Sequence, residues 1–262
     1  MKTGLNEIIN PPTDTIWNGQ MNSKLSETKI IDPIKIESQE NLENISKRLP
    51  FDQFDNPFLF VRTGLISKLL FLNNLVKRTV SVPGDFFEFG IWKGQNLILF
   101  ENLRAINDHF NFSRTIYGFD TFDGYNESSG LKIPQSEISK YVTEEGWEHE
   151  LRTIFNAHRG INHSSSRLEI IKGDVRDTCQ SFFKKYNNLI ALAYIDIATR
   201  DTTEAVLQSI VKRLAVGGIV VIDDFGPQYA GVSEAISKFN WSNFKLELSE
   251  TYAGKLLISR LT

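Results

Sequence analysis

The run GDFFEFGIWKGQN, residues 84–96, restricts the fold more than any other stretch. Residues 85–89 form a short, largely apolar segment, which reads as a buried strand. Gly90 and Gly94 then turn the chain into a helix that starts near Lys93. A strand, a tight glycine turn and a helix are how an open α/β sheet builds a nucleotide site. Glycine lets a ligand approach the backbone, and the helix N-terminus offers unpaired N–H groups. The full G-x-G-x-x-G pattern is missing, which argues against a dinucleotide pyrophosphate. Glu88, near the strand's carboxyl end, fits better a ligand with a ribose and an amino-acid tail, such as S-adenosylmethionine. A glycine turn with no ligand is the plain alternative.

The rest of the chain alternates strand and helix. Apolar runs predict strands at 115–119, 168–172, 189–195 and 219–222, with residues 215–218 read as the turn into the last of these. Helices are expected at 93–109, 143–158, 177–186, 201–214 and 232–239. Continuous apolar strands separated by helices belong to a parallel sheet covered on both faces. Segments 244–248 and 256–259 lie too close together for a helix between them and predict an antiparallel hairpin at the sheet edge. The expected fold is a Rossmann-like, seven-stranded, mostly parallel α/β sheet. Residues 1–50 read as an irregular arm with a short helix at 41–48. Residues 51–83 read as a cap helix over 57–80, with Phe60, Leu65, Leu69, Leu72 and Val76 on one side. The domain proper then spans 84–262, and its aperiodic stretch 121–146 reads as a lid or acceptor-binding loop.

Composition excludes several classes. A net charge of −3 and a pI near 5.9 give no electrostatic case for nucleic acid or an anionic membrane. One cysteine, Cys179, rules out an internal disulfide and a cysteine-based zinc site. No apolar run reaches the length of about 18 residues that a membrane span needs. The first residues are too polar for a signal peptide, and a cytoplasmic protein is expected.

The acids are placed with regularity. Glu88, Asp120, Asp174, Asp196, Asp223 and Asp224 all fall at the carboxyl ends of predicted strands, where an open parallel sheet forms its ligand crevice. Any one of them has a plain role as a helix cap or turn residue; the shared placement favours a site. Asp120 is placed to accept hydrogen bonds from both ribose hydroxyls, and Asp174 with Val175 lies where an adenine amino group would sit. Carboxylates around a nucleoside repel phosphate, which separates a methyl donor from ATP or NADP.

The run RTIYGFDTFDGY (114–125), taken with residues 84–96, resembles the macrocin O-methyltransferase family. These are class I S-adenosylmethionine enzymes that methylate sugar hydroxyls of natural products. The similarity extends in order through IIKGDVRDT, ALAYIDIATRDTTEAVL and RLAVGGIVVIDDFG, about residues 58–239 in all. It implies that Glu88, Gly90 and Gly94 hold the methionine and ribose side of S-adenosyl-L-methionine. Asp120, Thr121 and Phe122 would hold ribose and adenine, with Phe122 stacking on the base or simply packing its loop, and Asp174 and Val175 the adenine. It also implies a Mg2+ on Asp196, Asp223 and Asp224, with Asp196 close to the donor as well. The chain departs from the family's D-x-D-x-Y strand tip at Ala198 and Arg200. Arg200 reads either as a ligand for a phosphate or carboxylate on the acceptor or as an exposed helix-start residue. Asp196 or Asp224 is the expected proton acceptor. Tyr125, Trp147 and Trp92 are candidates to line a sugar pocket. The expected acceptor is a small sugar or nucleotide-sugar, methylated on oxygen or on an amino-sugar nitrogen. A homo-oligomer formed through the 57–80 helix is a further expectation. The rival readings are a non-catalytic cofactor-binding relative and an NAD-dependent sugar-modifying enzyme.

Overall fold

The computed structural model describes residues 33–48, 56–125, 139–226 and 229–262. Its strands are β1 (Asp85–Phe89), β2 (Thr115–Asp120), β3 (Arg167–Lys172), β4 (Ile190–Ile195), β5 (Leu214–Ile222), β6 (Phe244–Leu248) and β7 (Leu256–Arg260). They form one sheet in the order β3-β2-β1-β4-β5-β7-β6. The first five pair in parallel, and β7 runs antiparallel between β5 and β6. The expected Rossmann-like sheet with an antiparallel edge hairpin is what forms. The helices are α1 (Pro33–Arg48), α2 (Thr63–Thr79), α3 (Gln95–Asn107), α4 (Trp147–Ile161), α5 (Val175–Lys185), α6 (Arg200–Ile210) and α7 (Ala230–Ser237).

Side-chain alternation along the strands explains the two-sided core. Phe87 and Phe89 point to one face and pack with Phe183, Val206 and Ile236 of α5, α6 and α7. Phe86, one residue before Phe87, points to the other face and packs with Leu72, Phe100 and Phe155 of α2, α3 and α4. Each buried phenylalanine contributes on the order of 1.5–3 kcal/mol. Because β1 and β4 are buried on both faces, their only polar positions are at their ends. That restriction drives the acids to the strand tips.

Arg114 joins the two halves of this arrangement just before β2. Its Nε donates to Asp108 at 3.0 Å and Nη1 to the Gly84 carbonyl at 2.7 Å, and Nη2 reaches the carbonyls of Thr79 and Val82. The guanidinium thereby satisfies the carbonyls left open between α2 and β1. Arg114→Met is expected to cost about 3–5 kcal/mol, because it strands Asp108 and those carbonyls away from water. Calorimetry of the unliganded chain would read this as a large drop in Tm, and an unchanged Tm would refute it.

Several expectations are corrected. Residues 215–218 are not a turn into β5 but part of it. The pairing of β4 with β5 shifts between Ile190 and Leu192, so this is a bulge, and Gly217 at φ +81° absorbs it. The short helix expected at 41–48 is part of a longer one, α1, which starts at Pro33 within the stretch expected to be irregular. Residues 1–32 and 49–55 lie outside the described residues. The helix expected over 57–80 is a short 3-10 turn, Pro57–Leu59, followed by α2. Its buried face is Phe71, Leu72, Leu75, Val76 and Thr79, whereas Leu65 is 42% exposed. Within the expected lid, residues 126–138 lie outside the described residues. The rest of that stretch is tied down by an antiparallel bridge between Asp123 and Val142. Among the described residues, no helix is long and apolar enough to cross a membrane.

Candidate functional site

The carboxyl ends of β1, β2, β4 and β5 open onto one cavity of about 750 Å³. It lies where the strand order reverses, between β1 and β4, the usual ligand crevice of an open α/β sheet. Glu88, Asp120, Asp174, Asp196, Asp223 and Asp224 all line it, and so do Gly90, Thr121 and Val175. The sheet brings together acids that are up to 136 positions apart in sequence (224 − 88).

Glu88 is buried, 2% exposed, near the end of β1. Asn96 Nδ2 on α3 donates to its Oε1 at 2.6 Å. Burial pushes its pKa up to about 8; Lys68 opposes the shift, while Asp120 and Asp223 add to it. Asp120 behaves differently. Its Oδ2 accepts from the Trp92 N–H and its Oδ1 from the Phe122 N–H, both at 2.7 Å. Burial raises its pKa, and these backbone donors hold it down. The carboxylate therefore fixes the turn after β1 against the loop after β2 and still lines the cavity. Asp174 is the N-cap of α5, accepting from the Arg176 N–H at 2.9 Å, and it pairs with the Arg176 guanidinium at 2.6 Å. The capping role open to any single strand-end acid is the one it takes, at the cavity rim.

Two residues assigned to the cofactor do not line the cavity. Phe122 is 3% exposed and packs in the core beside Ile91 and Leu151, with its backbone at φ +62°. Its ring takes the loop-packing role. Gly94 caps α3 at φ +77°, and a Cβ there would meet Leu151 of α4 at 2.5 Å. Gly90, at φ +85°, does face the cavity, but a Cβ on it would stand 2.1 Å from the Asp196 carbonyl oxygen. Both glycines thus answer close packing within the chain, and neither needs a ligand to explain it.

At the tips of β4 and β5, Asp196, Asp223 and Asp224 each offer a carboxylate oxygen, and these atoms lie within 4.8 Å of one another. Burial first, then Asp223 and Asp224, drive the Asp196 pKa well above the usual carboxylate range. Asp224 rises to about 6, mainly through burial and Asp223, while Lys255, the Tyr229 hydroxyl and the Ala198 N–H hold it down. Lys255, in the β6–β7 connection, places Nζ 3.1 Å from Asp223 Oδ1, and Tyr194 donates to the same oxygen at 2.5 Å. Three clustered carboxylates with the Lys255 ammonium at one edge make a donor set suited to a hard divalent cation. Ala198, where the family's second acid would stand, sits at φ +41°. The cluster of three forms without it.

Arg200 takes its exposed reading. Its guanidinium pairs with Asp201 at 2.9 Å and Glu234 at 3.2 Å and does not line the cavity. Trp92, Tyr125 and Tyr141 do line it and make edge-to-face contacts with one another, Trp92–Tyr141 at 5.8 Å and Tyr125–Tyr141 at 5.2 Å. Trp147, also expected there, lies under Lys93 on α4 and not in the lining. Sequence reasoning missed Lys68, Asn96, Tyr229 and Lys255. Asn96 stood inside the glycine-turn motif and carried that much signal. The other three come from distant elements with no local pattern.

Residues 13–248 match the family described as Macrocin-O-methyltransferase (TylF). Demethyldecarbamoylnovobiocin O-methyltransferase of Streptomyces niveus is 25% identical over 171 residues. That match covers 61% of this chain and 61% of the relative, so the chain spans about three-fifths of the length of this curated protein. The crystal structure of CalS11, a calicheamicin methyltransferase, superposes with a TM-score of 0.77 at 28% identity, covering 87% of this chain and 93% of its own. An apo structure of the same protein describes it as a TDP-rhamnose 3'-O-methyltransferase of calicheamicin biosynthesis and gives a TM-score of 0.73 at 27% identity, covering 87% of this chain and 95% of its own. The O-methyltransferase NovP shares the fold at a TM-score of 0.60 and 21% identity, covering 75% of this chain and 81% of its own.

Proposed function

The chain belongs to the macrocin O-methyltransferase family, and from that premise we propose that it transfers the methyl group of S-adenosyl-L-methionine to a hydroxyl of a small sugar-bearing acceptor. The setting is natural-product or surface-glycan biosynthesis. The observation that carries this reading is the convergence of six strand-end acids on one cavity. A wall of carboxylates suits a nucleoside without phosphates, and its two ends differ in kind: a capped, hydrogen-bonded end at Asp120 and Asp174, and a like-charged cluster at Asp196, Asp223 and Asp224.

The bound donor supplies an electrophilic methyl carbon on a sulfonium. Glu88 receives its cationic end, Asp120 accepts from its ribose hydroxyls, and Val175 packs beside its base. Asp196, Asp223 and Asp224 would hold Mg2+, which when bound draws charge from an acceptor hydroxyl. As the hydroxyl oxygen attacks and the C–S bond breaks toward sulfur, the hydroxyl proton passes to a carboxylate of this cluster, Asp196 or Asp224. Positioning supplies much of the rate in such an in-line displacement. Trp92, Tyr125 and Tyr141 wall the cavity with rings on which a sugar face can stack.

The test is a methyl-transfer assay reading S-adenosylhomocysteine release. It uses nucleotide-linked deoxysugars and finished glycosides as separate acceptor sets, each with Mg2+ and with EDTA. Turnover on one set, lowered at least about tenfold by EDTA and restored by Mg2+, is the expected result. Cofactor binding by titration without turnover on any acceptor would instead favour a non-catalytic relative. Turnover that is indifferent to EDTA would remove the metal from the reading.

A further inference from the structure

Lys255 stands at the edge of the acid cluster on β4 and β5 without facing the cavity. Its Nζ lies 3.1 Å from Asp223 Oδ1, and both side chains are mostly enclosed, at 13% and 14% exposure. Tyr194 of β4, 1% exposed, donates to the same oxygen at 2.5 Å. Two donors on one oxygen pin the Asp223 carboxylate through a single atom. Among the described residues, no other Lys or Arg forms an ion pair with Asp196, Asp223 or Asp224. The lysine is not in the lining, so an acceptor in the cavity does not meet it.

The plain role for such a lysine is to hold the β6–β7 connection in place. That connection is fastened without its side chain. The Phe225 N–H donates to the Gly254 carbonyl at 3.2 Å, and the Ser249 N–H to the Lys255 carbonyl at 2.9 Å. The Tyr252 ring lies 5.8 Å from that of Phe71 on α2. The Lys255 side chain is directed at the acids instead: its Nζ passes 4.7 Å from the centre of the Tyr252 ring and ends on Asp223. Its charge also acts on Asp196 and Asp224, with neither of which it forms an ion pair. There it lowers pKa values that burial and like charge raise.

We infer that Lys255 is a tethered counter-ion of the three-carboxylate cluster: it orients Asp223 and offsets the cluster's charge before a divalent cation arrives, and it weakens the binding of that cation. The inference rests on the reading that Asp196, Asp223 and Asp224 hold Mg2+, and assigns a positioning residue outside them. Like charges this close repel one another, so an opposite charge at their edge keeps the free cluster assembled. The same charge repels an incoming cation. Lys255 thus favours a preformed site over a tight one, and it places that control in the β6–β7 connection, outside the cavity.

Calorimetric titration of the full chain with MgCl2, beside thermal melts at pH 8 in EDTA and in saturating Mg2+, tests this. Lys255→Met is expected to bind Mg2+ at least about fivefold more tightly than the wild type. In EDTA it should melt on the order of 5 °C below the wild type, and Mg2+ should restore at least about half of that difference. Lys255→Arg keeps the charge and should stay within about threefold of the wild-type affinity. Lys255→Gln removes the charge but keeps a donor; it should show the same tightening and serves if the methionine variant does not fold. A lysine that only fastened the hairpin would lower Tm equally with and without Mg2+ and leave the affinity unchanged. That result would overturn the counter-ion role, and so would weaker Mg2+ binding by the charge-free variants. Wild type and variants that all fail to bind Mg2+ would remove the metal and the counter-ion role together.

Discussion

Asp196→Asn should lower kcat/KM for methyl transfer by about 10²–10⁴-fold while leaving the protein at least as stable as the wild type. Asp196 stands at the tip of β4 with carboxylate oxygens of Asp223 and Asp224 within 4.8 Å. Every role proposed for it, as a Mg2+ ligand or as the acceptor of the hydroxyl proton, needs the charged oxygen that asparagine lacks. The fold has the opposite preference. Asp196 is half-buried among like charges, which Lys255 opposes. Removing one charge relieves repulsion without changing shape. Activity and Tm should therefore move apart, which a merely structural residue would not produce. The measurement is a steady-state assay beside a thermal melt. Retention of more than about a tenth of the wild-type kcat/KM would place the chemistry elsewhere, and so would a loss of activity matched by a fall in Tm. Asp224→Asn, run alongside, reads whether the neighbouring carboxylate shares the burden.

Glu88→Gln should stabilise the unliganded chain at alkaline pH and weaken donor binding. The carboxyl of Glu88 has its pKa raised by burial to about 8, against an ordinary value of 4.5. An acid whose folded pKa lies above its unfolded one holds its proton longer in the folded state. Folding is then disfavoured progressively as pH rises from about 4.5 to about 8, and the penalty is constant above that. At about 1.4 kcal/mol per unit the effect is several kcal/mol. Glutamine keeps the acceptor for Asn96 and does not titrate. The variant should match the wild type near pH 4 and melt on the order of 5 °C or more above it at pH 8–9. The charged groups around Glu88 are Lys68, which favours its ionised form, and Asp120, Asp196 and Asp223, which oppose it. In the same variant, donor affinity should fall at least about tenfold, because an ammonium loses its ionic partner. A Tm difference independent of pH would contradict the buried-acid account. Undiminished donor affinity would contradict the site.

The strands were legible because burial on both faces leaves a strong local signature. The run 190–195 followed by Asp196 can be read by itself, and so can the three phenylalanines at 86, 87 and 89 around Glu88. The acids near those ends were legible for the same reason: Glu88 stands one residue from the end of β1, and Asp196 follows β4. The β5 bulge misled because Gly217 and Gly218 look like a turn when read locally. Whether a glycine pair breaks a strand or bends it depends on the partner strand, here Ile190 and Leu192 of β4. Gly94 and Phe122 carried motif positions, yet Gly94 lies against Leu151 of α4 and Phe122 shares its core cluster, 57 and 29 residues before it in the chain.

By itself the sequence determined the α/β class, the order of strands and helices, and the identity of the acids that end the strands. Those features follow from periodicity and solvation, which act over a few residues at a time. Only the tertiary structure decided which acids share a cavity, that Asp174 is engaged by its own helix, that Ala198 leaves the three-carboxylate cluster intact, and that the charge of Lys68 acts on Glu88 from another element. Such facts depend on side chains distant in the chain being brought within a few ångströms. Sheet order and helix packing set those distances, and no local pattern records them.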